Sequence, residues 1–249
     1  MHITFLPVLG TLRALYEMPR DMARFRRYLD EMLGGTDDVR MPITAANPMG
    51  REHCLQAVLA LQAIDAEGAA ARAAEEAARD LPDIGPPLRV FVCLLDDRMG
   101  GWTNRIYAEF ENRYGSEQML RANRRRRFAG VCCWTSETYT VEDVRRATRD
   151  ALYRAVHWTM HGVPRTLREM LALDRRASRF CGEPGFPLER DELEYTHAVL
   201  EPLLDADDSP TCIAALFGDE AARACGYPPL GLSERAGQRL AMSLLIPNP

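Results

Sequence analysis

The stretch LRVFVCLLDD, residues 88–97, constrains the fold most strongly, because it directly follows the helix-breaking sequence PDIGPP. Its continuous run of β-branched and apolar residues is typical of a buried strand. A helical pattern follows from about residue 103, then a second apolar run, FAGVCCWTSE, and then a long helical pattern from about residue 141. This order predicts a parallel βαβ unit with strands at about 88–95 and 127–134.

Helical patterns dominate the rest of the chain. The apolar residues of PRDMARFRRYLDEMLGG follow helical spacing up to Gly34–Gly35, and residues 51–80 form a strong helical pattern weakened at Gly68. The alanine-rich second half of residues 51–80 indicates a solvated helix. A further strand near ITFLPVL or VRMPIT fits the pattern, but a full doubly wound sheet is not visible. We therefore predict a helix-dominated α/β or α+β fold with a small sheet.

A single domain is predicted for residues 1–249, because a chain of this length can bury one substantial core. Within it we expect a helical part over residues 1–85, a βαβα part over residues 86–162 and a helical part over residues 163–249.

The charge composition argues against nucleic acid and membranes as partners. The formal net charge is −5, and because the chain contains no lysine, arginine takes the place of ordinary surface lysine. We interpret Arg124–Arg127 in ANRRRRFAG as a solvated connection between a helix and a strand, since no recognition module surrounds them. No apolar stretch approaches the ~20 residues that a membrane span needs.

The cysteines indicate a reducing compartment. None of the seven lies in a Cys-x-x-Cys pair, and most lie in apolar runs such as VFVCLL and GVCCW. They are therefore expected to be small buried thiols rather than a disulfide framework. The amino terminus also lacks the pattern of a secretory signal, so we expect a cytoplasmic protein.

The ends of the two predicted strands carry the most informative polar groups. Since the carboxyl ends of neighbouring parallel strands lie at one edge of a sheet, these groups are expected to share a cleft beside a helix N-terminus. Two tryptophans could form its apolar walls. The same residue types also serve any strand-to-helix turn, so a purely structural role stays open. The predicted ligand-binding residues are Asp96, Asp97, Trp102, Asn104, Arg105, Trp134, Ser136 and Glu137.

A second chemical candidate is the sequence HWTMH. His157 and His161 are four residues apart and could chelate zinc from one helix face, although position 158 lacks the glutamate of His-Glu-x-x-His. Both histidines fall on the polar side of their predicted helix, which favours a solvated pair. Glu194, in the Glu-x-x-His sequence EYTH, offers a third ligand. No cofactor is predicted as first choice, and zinc on His157, His161 and Glu194 is the alternative.

These observations predict a cytoplasmic globular protein that binds a small molecule or a protein partner at the carboxyl ends of its strands. The sequence contains no P-loop and no Gly-x-Ser-x-Gly nucleophile elbow, so the question of whether it is an enzyme stays open. The alternative function is a metal-dependent hydrolase using His157 and His161.

Overall fold

The computed structural model describes residues 1–98, 102–182 and 188–243 and contains a helix-dominated α/β fold. The strands are β1 (Ile3–Leu6), β2 (Leu88–Leu95) and β3 (Phe128–Trp134). A short 3-10 turn, Glu201–Leu203, follows the ninth helix. The helices are α1 (Leu9–Glu17), α2 (Met22–Leu33), α3 (Glu52–Ala63), α4 (Ala66–Asp80), α5 (Arg105–Tyr114), α6 (Glu117–Arg126), α7 (Val141–His161), α8 (Leu167–Cys181), α9 (Arg190–Leu200), α10 (Ser209–Phe217), α11 (Asp219–Ala224) and α12 (Ala236–Ser243).

The three strands form a parallel sheet in the order β1-β2-β3, which confirms the predicted parallel pairing of the two apolar runs. The third strand is β1, at one of the two places that the sequence suggested. β2 lies in the centre and all its residues except Arg89 are buried, as expected of a parallel strand with neighbours on both sides. Its register sets Leu95 opposite Trp134, so β2 and β3 end side by side.

A glycine on β3 permits close packing within the sheet. Gly130 is paired in register with Phe91, and a Cβ atom at position 130 would lie 2.6 Å from the end of the Phe91 ring. The Phe91 ring also packs edge-on against Phe128. The Phe91 ring therefore occupies the space that a side chain at position 130 would need.

The prediction of one helix over residues 51–80 with a solvated second half was wrong. The chain breaks between α3 and α4 at Asp65, whose φ is 52°, and not at Gly68. The alanines of α4 form its buried face, and α4 packs against β1 and β2. Small side chains let a helix approach a sheet closely, so alanine here marks burial rather than solvation. The buried alanines are Ala66, Ala69, Ala70, Ala73, Ala74, Ala77 and Ala78.

The arginine run is exposed at Arg124 and Arg125, as expected, but it is not simply a connection between a helix and a strand. Its first three residues form the last turn of α6. Arg125 and Arg126 both pair with Asp38, at 2.8 and 2.7 Å. Arg127, with φ 58°, donates to the carbonyl oxygens of Ile84 and Pro86 and so holds the PDIGPP segment. Arg125, Arg126 and Arg127 therefore make specific contacts within the chain.

The described chain divides into two compact units. Residues 1–105 and 118–160 form the first unit, which contains the sheet, and residues 106–117 and 161–249 form the second. The second unit has its own apolar core, in which Phe110 and Tyr114 of α5 pack with helices α8 to α12. The prediction of a single domain remains a prediction.

None of the helices in the described ranges has the combination of length and hydropathy that crossing a membrane requires. Even α7, with 21 residues, carries charged side chains at several positions between Glu142 and Arg154.

Candidate functional site

The candidate site lies where β2 and β3 end. Asp96 and Asp97 follow β2 directly, and Thr135, Ser136 and Glu137 follow β3. The Thr135 N–H donates to the Leu95 carbonyl at 3.0 Å, so the ladder continues one residue beyond the strands and brings the two polar segments together. We call this group, with Arg105, the sheet-edge site.

Asp96 forms the interior of the site. Its side chain is buried and accepts hydrogen bonds from Asn47 Nδ2 at 2.8 Å and from Thr135 Oγ1 at 3.1 Å. His53 Nε2 lies 2.8 Å from its Oδ1, and the backbone N–H of Arg98 donates to the same oxygen. Burial by itself raises the pKa of Asp96, but the hydrogen bonds from His53 and Asn47 outweigh it and hold that pKa below its ordinary value. The group is therefore a buried, ionised carboxylate with fixed partners.

Asp97 forms the outer part and links the two strand ends. It accepts hydrogen bonds from the hydroxyl and the backbone N–H of Ser136, at 2.6 and 3.0 Å. Burial acts to raise its pKa, but the hydrogen bonds from Ser136 and Thr135 hold it below the ordinary value. The Thr135 hydroxyl lies within 3.1 Å of both Asp96 and Asp97 and can donate to either. The two neighbouring carboxylates are thus both ionised.

Arg105, the first residue of α5, joins the outer carboxylates. Its guanidinium donates to Asp97 at 3.2 Å and to Ser136 at 3.0 Å, and it also pairs with Glu137. The guanidinium lies 5.2 Å from the centre of the Trp134 ring, a cation–π contact with a buried indole. A single cation therefore bridges residues from both strand ends.

A tyrosine supports the outer edge of the site. The Tyr139 hydroxyl donates to Glu137 Oε2 at 2.8 Å and accepts a hydrogen bond from the backbone N–H of Trp134 at 2.7 Å. Burial is the main cause that raises the pKa of Tyr139, so the phenol stays protonated and can donate. Glu137 is in this way fixed between Tyr139 and Arg105.

The structure brings together six of the eight predicted ligand-binding residues. The other two, Trp102 and Asn104, are exposed, and 55% of the Trp102 surface is accessible. Trp102 precedes Thr103, whose N–H donates to the Asp96 carbonyl at 3.4 Å. The buried Trp134 and the exposed Trp102 make no ring contact with each other. The glycines at 100 and 101 lie outside the described residues. The six residues are Asp96, Asp97, Arg105, Trp134, Ser136 and Glu137.

Sequence reasoning missed three residues that reach Asp96 from elsewhere. Asn47 lies in the loop before α3, and His53 and Cys54 lie in its first turn. Within the described part of the chain, one group of three metal-ligand side chains brings its donor atoms within 4.8 Å of one another: His53, Cys54 and Asp96. Since 43 residues separate His53 from Asp96, no local spacing in the sequence indicates the group.

Cys54 is not arranged as a nucleophile. One imidazole nitrogen, His53 Nε2, faces both Asp96 at 2.8 Å and Cys54 Sγ at 3.4 Å, whereas a catalytic relay uses both ring nitrogens. Burial, followed by the charge of Asp96, raises the pKa of the Cys54 thiol to about 12. The thiol therefore stays protonated near neutral pH when only protein groups surround it.

The alternative zinc ligands lie elsewhere. His157 stacks on Tyr153 in α7, and His161 is the exposed last residue of that helix. Glu194 is exposed on α9. His157 belongs to the first compact unit, and His161 and Glu194 belong to the second, so neither unit by itself contains all three.

No known protein family, no curated protein and no solved structure matches this chain. The function is therefore inferred from the chemistry of the site.

Proposed function

We propose that the protein binds a small organic cation, such as an amine, at the sheet-edge site. The observation that supports this most is the meeting of Asp97, Arg105 and Glu137 at the carboxyl ends of two parallel strands, the place where open α/β sheets bind ligands. The outer groups are accessible, since the side chains of Arg105 and Glu137 are 28% and 40% exposed. The seven free cysteines support a cytoplasmic location in this proposal.

The charges of the site favour a cation. Two carboxylates, those of Asp97 and Glu137, pair with one guanidinium, that of Arg105. The ionised Asp96 adds a third carboxylate beside them, because Thr135 Oγ1 contacts both Asp96 and Asp97. The surplus is negative, which raises the local concentration of cations. An anionic ligand would instead have to overcome the charge of the carboxylates.

A screen with charge-matched compounds tests the proposal. 1,4-Diaminobutane, 1,4-butanediol and butanedioate have similar lengths and differ in charge. We expect the diamine to raise the melting temperature in proportion to the logarithm of its concentration, and the diol and the dianion to have little effect. Glu137→Gln should weaken diamine binding about five-fold, the loss of one exposed charge contact.

The matched control is Glu17→Gln, which removes an exposed carboxylate that pairs with Arg13 on α1. It should bind the diamine as the wild type does. Equal weakening by both variants would indicate a general effect of net charge, and a stronger response to butanedioate would contradict the proposed ligand class.

A metal-dependent hydrolase is the second candidate, and the geometry favours His53, Cys54 and Asp96 as its ligands over His157 and His161. From zinc–ligand bond lengths, donor atoms on a tetrahedral ion lie about 3.3–3.6 Å apart. His53 Nε2 and Cys54 Sγ are 3.4 Å apart, and His53 Nε2 and Asp96 Oδ1 are 2.8 Å apart. A small opening of the His53–Asp96 contact would therefore admit the ion. Three protein ligands leave one position for water, which zinc activates in hydrolases.

Metal content distinguishes the two histidine sets. Untagged protein saturated with zinc and then desalted should retain about one ion per chain, and retention should increase with pH because the Cys54 thiol must ionise. His53→Ala should lose the ion, and His157→Ala should keep it. If zinc is lost in His157→Ala but kept in His53→Ala, the HWTMH histidines are the ligands instead. If the wild type retains no zinc, both sets of ligands are excluded.

A further inference from the structure

The second compact unit contains a cavity of about 560 Å³ whose lining includes no residue of the sheet-edge site. It is formed by residues of α8, of α9 with the turn that follows it, and of α12. Its volume lies within the range of about 300–1,000 Å³ that is usual for small-molecule sites.

The floor of this cavity is apolar. Leu200 and Leu240 are buried there, and Leu171 and Leu204 are partly buried beside them. These leucines come from three different helical segments, so the apolar surface results from the tertiary fold and not from one helix face. A hydrocarbon chain placed on it would be removed from water, which favours binding.

The rim of the cavity is basic. Arg168, Arg175, Arg176 and Arg179 come from α8, and the lining contains one carboxylate, Glu201, together with His197. Arg168 pairs with Asp205 at 3.2 Å. Arg176 and Arg179 are exposed, and neither forms an ion pair with another residue of the described ranges. A basic rim in a chain with net charge −5 departs from the average charge of the molecule.

Solvated arginines alone would not explain this combination. An arginine-rich helix face needs no leucine-lined cavity beside it, and an apolar cavity needs no basic rim. Together they match a ligand with a hydrocarbon body and a carboxylate at one end, because guanidinium groups bind carboxylates in a bidentate manner.

We propose that this arginine-rimmed cavity binds an unbranched aliphatic carboxylate, with its hydrocarbon chain on the leucine floor and its carboxylate beside Arg176 and Arg179. The site is independent of the sheet-edge site and would give the protein a second ligand. We favour a free carboxylate over a lipid in a bilayer because the cavity volume is that of a site for a single small molecule.

Calorimetric titration with dodecyl compounds of different head group, and with one short carboxylate, tests both halves of the site. Dodecanoate, below its micelle concentration, should bind with one-to-one stoichiometry. Dodecanol should bind more weakly, and dodecyltrimethylammonium should not compete. Butyrate, which keeps the carboxylate but has little hydrocarbon, should show no measurable binding. Equal binding of dodecanoate and the cationic amphiphile would overturn the proposal, because it would reveal an unselective apolar surface.

Two variants localise the binding. Arg176→Gln with Arg179→Gln should weaken dodecanoate binding about three- to thirty-fold, the loss of two exposed charge contacts. The control is Arg190→Gln with Arg223→Gln, two exposed arginines of the same unit that do not line the cavity. Leu171→Gln should weaken dodecanoate and dodecanol alike. Two results would contradict the proposal. One is unchanged affinity for dodecanoate in Arg176→Gln with Arg179→Gln. The other is a wild type that forms a dimer through the cavity and excludes dodecanoate.

Discussion

At the scale of single residues, the buried carboxylate of Asp96 determines the chemistry of the sheet-edge site. A buried charge is costly unless its partners are fixed, and Asn47, His53 and Thr135 supply them from two separate parts of the chain. The sequence indicated Asp96 because an aspartate pair ends an apolar strand. It could not indicate Asn47 or His53, since their contact with Asp96 exists only once the loop before α3 has folded against the strand end.

The lowered pKa of Asp96 predicts how stability depends on pH. The folded state holds this pKa below its unfolded value of about 3.9, so the unfolded state binds more protons at low pH and stability falls as the pH falls. The contribution is fully present at neutral pH and is lost progressively below about pH 5. Asp96→Asn should lower the free energy of unfolding at pH 7 by about 1–3 kcal/mol. It should also make the free energy of unfolding depend less steeply on pH below about pH 5.

Urea unfolding between pH 3 and pH 7 measures this dependence. The control is Asp30→Asn, which changes an exposed aspartate of α2 in the same unit. Its free energy of unfolding should depend on pH as that of the wild type does. An Asp96→Asn protein with an unchanged slope would show that Asp96 is not the paired carboxylate described above.

At the scale of secondary-structure elements, local sequence patterns predicted those helices and strands whose burial follows from their own residue types. β2 and β3 are apolar runs between turn signals, and α2 ends at Gly34, which has the left-handed conformation expected of a helix-ending glycine. The alanine face of α4 was misinterpreted because alanine suits both water and a close helix–sheet contact. The helical end of the arginine run was missed because its contacts with Asp38 are long-range.

Two glycine substitutions should have opposite effects on stability. Gly130→Ala places a methyl group against the Phe91 ring at 2.6 Å in a packed sheet, so it should destabilise the protein by about 1–3 kcal/mol. Gly10→Ala lies in α1 with no neighbouring atom within 4 Å of the new methyl group, and it should stabilise the protein by up to about 1 kcal/mol. Chemical unfolding of both variants measures the difference, and a neutral Gly130→Ala would contradict the close approach of Phe91.

At the scale of the whole molecule, the chain passes between the two compact units more than once. Residues 106–117 belong to the second unit, although residues on both sides of them belong to the first. This arrangement was not predictable from composition, because α5 looks like an ordinary connection between two parallel strands. Its apolar residues Phe110 and Tyr114 belong instead to the core of the second unit.

A fragment containing residues 161–249 should therefore fail to fold by itself. It would lack Phe110 and Tyr114, and the buried Asp174 would lose the Tyr114 hydroxyl that donates to it at 2.6 Å. We expect near-ultraviolet circular dichroism of the fragment to show no fixed aromatic environment and its thermal unfolding to lack a cooperative transition. A cooperative transition in this fragment would show that its core does not need α5.

The central claim is that the sheet-edge site binds a small cation, and amide chemical-shift mapping by NMR tests it most directly. Titration of 1,4-diaminobutane into isotopically labelled protein should shift the amide signals of Asp97, Ser136 and Glu137 in a saturable manner. The shifts should be strongly reduced in Glu137→Gln and unchanged in Glu17→Gln. Saturable shifts confined to other parts of the molecule, or equal shifts with butanedioate, would contradict the claim.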